Sequence, residues 1–278
     1  MNMLSMLAIL TTVYFGSLLI FCLYREQIST ARAIKIGNLI FVIFDVLFFF
    51  LWNLSMYPRG KLDDGFETLE NISPLMFTLI PLTYCMRGKV KDCCFSAIAF
   101  LSVGMLVAMY ASPEYEYVNT FRREADFFYT SEALCHMLCS LFGAYLVLTN
   151  QVKICFSSWI KSIVFLYSII TFGVFLNFVF HKGFFGMNPY GGYSIYMIDI
   201  FGSFEATLAA YYLGVLLVLT IGMQVNGMLD KLTIKLHHHF EGHVNRKEGN
   251  VTNVGEPLSE ELSPSAQPIP PNEQEKES

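Results

Sequence analysis

The sequence predicts an all-helical membrane protein built as a bundle of seven transmembrane helices. Two observations support this fold class: the composition, and long apolar runs separated by short polar loops. Of the 278 residues, 54% are hydrophobic and only 15% are charged, whereas soluble domains carry about a quarter charged residues. A soluble core of this size cannot bury so much apolar surface, so a soluble domain is excluded, and no nucleic-acid-binding surface is predicted.

Apolar runs long enough to cross a bilayer, which takes about 20 residues in a helix, recur along the chain. The candidate spans cover about residues 3–24, 36–56, 71–86, 93–112, 127–149, 161–180 and 201–224. The third run is shorter than the others and depends on its neighbours. The first is interpreted as a retained helix, because it lacks a small-residue cleavage site.

The loops alternate in charge, and this alternation orients the bundle. Basic residues occupy the odd-numbered loops: Arg25, Arg32, Lys35, Arg87, Lys89, Lys91, Lys153 and Lys161. The even-numbered loops "KLDDGFETLE" and "PEYEYVNTFRREAD" are acidic or mixed. The positive-inside rule then predicts an N-terminus outside and a C-terminus in the cytoplasm. The segment "FFGMNPYGGYSIYMIDIFG" is predicted to be an interfacial or re-entrant loop on the outer side.

Three regions follow from the composition: a transmembrane domain at 1–224, a cytoplasmic juxtamembrane segment at 225–247 and a disordered acidic tail at 248–278. From Glu241 onward the chain holds eight glutamates against three basic residues, which accounts for the net charge of −5. The tail is a candidate docking segment for protein partners. The histidine run at 237–239 is interpreted as a solvated polar run rather than a metal site.

Charged side chains at bilayer depth are costly, so each one is a functional candidate by default. The candidates are Asp45, Glu132, His136, Asp199 and Glu205.

The fifth span carries a cluster of polar residues on one side. On a helical wheel, Glu132, Cys135, His136, Cys139 and Gly143 fit one face about 100° wide. The opposite positions are Leu, Phe and Ala, so this face is predicted to point into the bundle.

Three interpretations of this face are open. A zinc site needs three or four ligands, and no other span offers a histidine or a cysteine pair at matching depth to complete one, so no metal and no cofactor are predicted. His136 can instead be a satisfied interior histidine bonded to Glu132. It can also be a general base for a hydroxyl or thiol on another helix, and this third interpretation requires a partner outside the fifth span.

Span three, "ENISPLMFTLIPLTYCMRGK", resembles the YwaF-like family of bacterial membrane proteins, which is related to the transmembrane protein 164 family. Aligning Leu79-Ile80-Pro81 and Arg87-Gly88-Lys89 with that family's helix places Asn71 at a family histidine and Ser73 at a family cysteine. The segment "CHMLCSLFGAYLVLTN" is similar to the family's other histidine helix, with His136 and Tyr145 in register. Before the last span, four residues match a further motif: Pro189, Ser194, Asp199 and Gly202. The resemblance covers roughly residues 36–224.

In the eukaryotic relatives, the cysteine and the later histidine are taken as an acyl-transfer pair that acts on glycerophospholipids. The resemblance therefore implies a lipid-directed acyltransferase or hydrolase in which Ser73 is the nucleophile and His136 the base. Glu132 would orient the imidazole, and the Asn71 amide would donate to an oxyanion. Because a serine hydroxyl must lose its proton during attack, Ser73 would depend on His136 more than a cysteine does.

Membrane lipids are the predicted partners, and the bacterial cell membrane is the predicted location. Three other functions stay open. The two substitutions relative to the family are compatible with a catalytically inactive member. A seven-span receptor or sensor fits the predicted topology, and a proton-coupled carrier would use Asp45, Glu132 and His136.

Overall fold

A computed structural model of the chain describes residues 2–56, 72–110, 127–181, 183–187 and 198–252. The regular structure in these residues is helical. The helices are α1 Met3–Leu23, α2 Arg25–Ile28, α3 Ala31–Met56, α4 Ile72–Cys85, α5 Gly88–Tyr110, α6 Phe127–Leu148, α7 Phe156–Phe180 and α8 Phe204–Thr252, with a 3-10 turn at Phe184–Gly186.

Six helices are long and apolar enough to cross a membrane: α1, α3, α5, α6, α7 and the Phe204–Leu236 part of α8. The protein is therefore a multi-pass membrane protein, as the sequence predicts. The third predicted span, α4, has 14 residues and reaches about 21 Å at 1.5 Å per residue. It is shorter than the bilayer core, which is about 30 Å thick.

The helices extend beyond several of the predicted apolar runs. The helices α3, α5 and α7 begin at Ala31, Gly88 and Phe156, about five residues before their predicted starts, because polar residues at a membrane edge can still be helical. The last helix does not end at 224 but continues to Thr252. The compact unit that holds the bundle covers Met1–His237. Most of the predicted tail, residues 253–278, lies outside the described residues.

Helix α6 is the centre of the bundle. Eighteen of its 22 residues are buried, and α1, α3, α4 and α5 all pack against it. The sequence predicted one inward-facing side for this helix, but its apolar side is buried as well: Leu141 and Leu148 are 5% and 0% exposed. Bilayer lipid therefore has no broad direct access to α6.

Side-chain contacts fix the directions of the inner helices. Thr130 donates a hydrogen bond to the Met6 sulfur near the start of α6, and Tyr145 packs against Phe21 near its end, so α1 and α6 run in the same direction. Helix α3 runs the opposite way, because Phe41 in its first half also contacts Tyr145 and its last turns lie beside the start of α6.

Helix α5 also runs opposite to α6. Phe95 near its start packs on Phe142, and Tyr110 at its end hydrogen-bonds Thr11 in the first half of α1. Only residues 86 and 87 separate α4 from α5, so the end of α4 lies beside the start of α5. Helix α4 therefore runs in the same direction as α6.

A close backbone crossing joins α5 to α8. The Asn226 amide donates to the Ala99 carbonyl at 2.8 Å and to the Ser102 hydroxyl at 3.2 Å. One turn earlier, Gly222 lies directly against the Phe100 carbonyl, where any Cβ would overlap it. Small residues allow this kind of approach between membrane helices.

Two polar clusters hold the ends of the bundle. At one end, Arg25 forms an ion pair with Asp230 at 2.6 Å and donates to the Asn150 side chain at 3.3 Å. In the last turn of α7, Asn177 donates to the carbonyl oxygens of Phe184 and Met187 and accepts from the Phe184 N–H. These bonds hold the 3-10 turn that begins the predicted interfacial loop, whose residues 188–197 lie outside the described residues.

Candidate functional site

The predicted catalytic residues occupy two neighbouring helices. Ser73 lies in the first turn of α4 and is half-buried, while Glu132 and His136 lie on α6. Asn71, the predicted oxyanion donor, lies outside the described residues.

The His136 ring is buried and is held by its own helix. Its side chain is 4% exposed, and its Nδ1 lies 2.9 Å from the main-chain oxygen of Glu132. A carbonyl oxygen can only accept, so Nδ1 carries the proton of this bond, and in the neutral ring Nε2 keeps a free lone pair. The ring is thus oriented by the Glu132 main chain, whereas the sequence predicted orientation by the Glu132 carboxylate.

The imidazole faces α4 through an aromatic contact. The rings of His136 and Phe77 meet edge to face, with centroids 5.3 Å apart and planes at 85°. Phe77 is fully buried and also packs edge-on against Trp52 of α3. The Phe77 ring and the Glu132 main-chain oxygen thus fix the orientation of the imidazole.

Ser73 lies on the same face of α4 as Phe77. Residues four apart share a helix face, so Ser73 is one turn before Phe77, as Glu132 is one turn before His136. Since α4 and α6 run in the same direction, Ser73 and Glu132 are displaced toward the same end from the Phe77–His136 contact. Among the described residues no hydrogen bond joins Ser73 to His136, whose ring contacts Phe77 one turn further along α4.

The cysteines of the predicted polar face point elsewhere. Cys135 and Cys139 are fully buried, and both are electrostatic neighbours of Asp45 on α3. Gly143 instead faces Ser102 of α5. The side chains that share one side of α6 on a helical wheel therefore contact three different helices.

Asp45 is the most unusual polar residue of the bundle. Its side chain is 0% exposed, and within the described part of the chain neither carboxyl oxygen has a hydrogen-bond partner. The sequence identified Asp45 as an intramembrane charge but gave no sign that it faces the two thiols. No group of three or more His, Cys, Asp or Glu side chains is placed to hold a metal ion in the described ranges.

Phe77 is the residue that sequence reasoning missed. A phenylalanine inside an apolar helix carries no functional signal of its own. The usable signal was its spacing, four residues after the predicted nucleophile.

Comparison with protein-family models, with curated proteins and with solved structures found no match at any level that would show a family or a fold. The resemblance to the YwaF-like family stays a prediction.

Proposed function

We propose that the protein is a lipid-directed acyltransferase or hydrolase of the membrane, with Ser73 as nucleophile and His136 as general base. The observation that carries this proposal is the contact between His136 and Phe77, because it turns the imidazole toward the helix face that also presents Ser73. The resemblance to the YwaF-like family supports the same two residues independently of this contact.

The proposed topology has seven spans, with α4 as the third and the N-terminus outside. The ion pair between Arg25 and Asp230 and the bond to Asn150 support it, because they join the first loop, the fifth loop and α8 at one end. These are segments that the charge pattern assigns to the cytoplasm. The proposed location is the bacterial cell membrane.

The chemistry requires a movement that brings Ser73 to His136. The Ser73 hydroxyl must come within about 3 Å of Nε2 of His136, and such bonds often tighten only when substrate binds. Nε2 then takes the hydroxyl proton as Oγ attacks the ester carbonyl of a phospholipid. The ester C–O bond breaks, the lysolipid leaves with the proton from His136, and the acyl group stays on Ser73.

The acyl-serine is resolved by a second attack. Water or an acceptor hydroxyl gives its proton to Nε2 and takes the acyl group, the bond from the acyl carbon to Ser73 Oγ breaks, and Nε2 returns the proton to Oγ, which restores both residues. The amide of Asn71 would donate to the oxyanion in both steps, and a lost donor of this kind costs about 100-fold or more in rate.

Acyl release from labelled phospholipid in proteoliposomes tests the proposal. Ser73→Ala and His136→Gln should each lower turnover by about 100-fold or more, because the nucleophile or its base is gone. Ser168→Ala is the matched control, since the Ser168 hydroxyl is exposed and bonds only its own helix at Val164. It should keep full turnover.

Ser73→Cys distinguishes loss of the nucleophile from disturbed packing at residue 73. A thiol is intrinsically more nucleophilic than a hydroxyl, so this variant should keep turnover or accumulate an acyl-thioester that mass spectrometry detects on residue 73. Wild-type turnover in Ser73→Ala would exclude the mechanism. A wild-type protein that turns over no phospholipid would favour the inactive family member.

A further inference from the structure

Asp45 has no role in the proposed acyl transfer. It lies near the middle of α3, on the side of α6 that carries Cys135 and Cys139 rather than on the side that faces α4. Its carboxyl group is fully buried and, within the described residues, forms no hydrogen bond. Native structures rarely leave a buried polar group in this state, so its presence requires an explanation.

The thiols of Cys135 and Cys139 on α6 interact electrostatically with Asp45. Helix α4 carries no acidic or basic residue, and its Tyr84 is at the exposed end. On α1 the buried phenol is Tyr14, whose oxygen accepts a hydrogen bond from Ser140.

The charged residues of α2, Arg25 and Glu26, lie before the start of α3. Arg25 pairs there with Asp230. On α6 the basic side chain is His136, whose ring contacts Phe77 of α4 and the Glu132 main-chain oxygen. No described side chain of opposite charge is therefore hydrogen-bonded to Asp45.

An isolated carboxylate in an apolar interior is very costly, and three things can relieve that cost: a basic partner, a metal ion or a proton. The described residues offer no basic partner. Hard cations need several oxygen ligands, while the neighbours here are thiols, and no described set of three ligands is placed around a metal. Of these three, a proton is the one that fits the surroundings of the Asp45 carboxyl group.

We propose that Asp45 is a proton-binding site in the interior of the membrane. In the conformation seen here the side chain is the neutral acid, with its proton on one carboxyl oxygen. Release passes that proton to water, and it requires water or a movement of α3 against α6 to solvate the carboxylate that remains. The site goes beyond the proposed acyl transfer and does not depend on it. Proton binding is also the first property that a proton-coupled carrier needs.

Infrared difference spectroscopy of the full-length protein in lipid tests the site directly. At neutral pH, the wild type should show the carbonyl-stretch band of a protonated carboxylic acid. Asp45→Asn removes that acid and keeps the side-chain shape, so the band should disappear. Asp199→Asn is the matched control, because Asp199 is exposed, and it should leave the band unchanged.

A pH titration shows whether the Asp45 proton exchanges with solvent or is inaccessible to it. The Asp45 band should shift in heavy water and should fade as the pH is raised. The S–H stretching band should change over the same pH range, because Cys135 and Cys139 are electrostatic neighbours of the carboxyl. The proposal is overturned if Asp45→Asn leaves the acid band intact. It is equally overturned if the band belongs to Asp45 but responds neither to heavy water nor to pH.

Discussion

Replacing Gly222 by alanine tests the packing of α8 on α5, because the added methyl group has no room. The three atoms nearest to its Cβ position all belong to the Phe100 main chain, which cannot rotate away as a side chain can. The two helices must therefore separate at this point. Asn226, one turn along α8, then moves away from the Ala99 carbonyl and the Ser102 hydroxyl.

The expected loss of stability follows from these two effects. Forcing a methyl group into a packed contact costs about 1–3 kcal/mol, and each interhelical hydrogen bond in a membrane contributes about 0.6 kcal/mol. The free energy of unfolding of Gly222→Ala should therefore fall by about 2–4 kcal/mol. Titration of detergent-solubilised protein with SDS measures it, with the fluorescence of the buried Trp52 as the reporter.

Gly214 on the same helix provides the control. A Cβ at that position meets no atom within 4 Å, so Gly214→Ala should be neutral or should stabilise the helix by up to about 1 kcal/mol. Gly222→Ala should thus unfold at a lower SDS fraction than both the wild type and Gly214→Ala. If Gly222→Ala unfolds at the same SDS fraction as Gly214→Ala, α5 and α8 do not cross as described.

Three further predictions concern the ends of the bundle. Arg25→Ala and Asp230→Ala should be coupled by about 1 kcal/mol in a double-mutant cycle, because the ion pair is only partly exposed; additive effects would contradict this. Asn177→Ala should lower stability by about 2–3 kcal/mol and speed proteolysis after the 3-10 turn, since buried main-chain groups lose their partner; unchanged proteolysis would count against it. The side chain and main chain of Ser158 lower the pKa of the exposed Cys155 thiol through hydrogen bonds, so alkylation of Cys155 should reach half-maximal rate at a lower pH in the wild type than in Ser158→Ala. Coincident pH profiles would refute that cause.

The sequence predicted the long helices well, because an apolar run of about 20 residues has few alternatives in a membrane. It placed α6 at 127–149, and the helix covers Phe127–Leu148. It could not predict that α6 would be surrounded by other helices. An apolar residue can face lipid or protein equally well, so the wheel that grouped Cys135 with His136 could not show that they contact different helices.

The sequence also could not predict which helices contact each other. The spacing of Gly222 and Asn226 on α8, a small and a polar residue on one face, is a usable signal for close helix packing. It does not name the partner helix. In the same way, the sequence identified Asp45 as an intramembrane acid. Whether its carboxyl group has a partner depends on the side chains that α6 places opposite it, and the sequence did not predict those.

The buried position of α6 restricts how a phospholipid could reach His136. Helices α1, α3, α4 and α5 all pack around it, and among them α4 is short and exposes Leu82 and Tyr84. Leu82 and Tyr84 lie in the last turn of α4 and Ser73 in its first, so a lipid ester must approach from the Ser73 end to meet the half-buried Ser73 before the imidazole, which is the order that the proposed attack requires. Asp45, on the α3 side of α6, is not on that route. A variant can therefore lose acyl transfer and keep proton binding, or the reverse. Variants at Ser73 on α4 and at Asp45 on α3 test two different sides of α6.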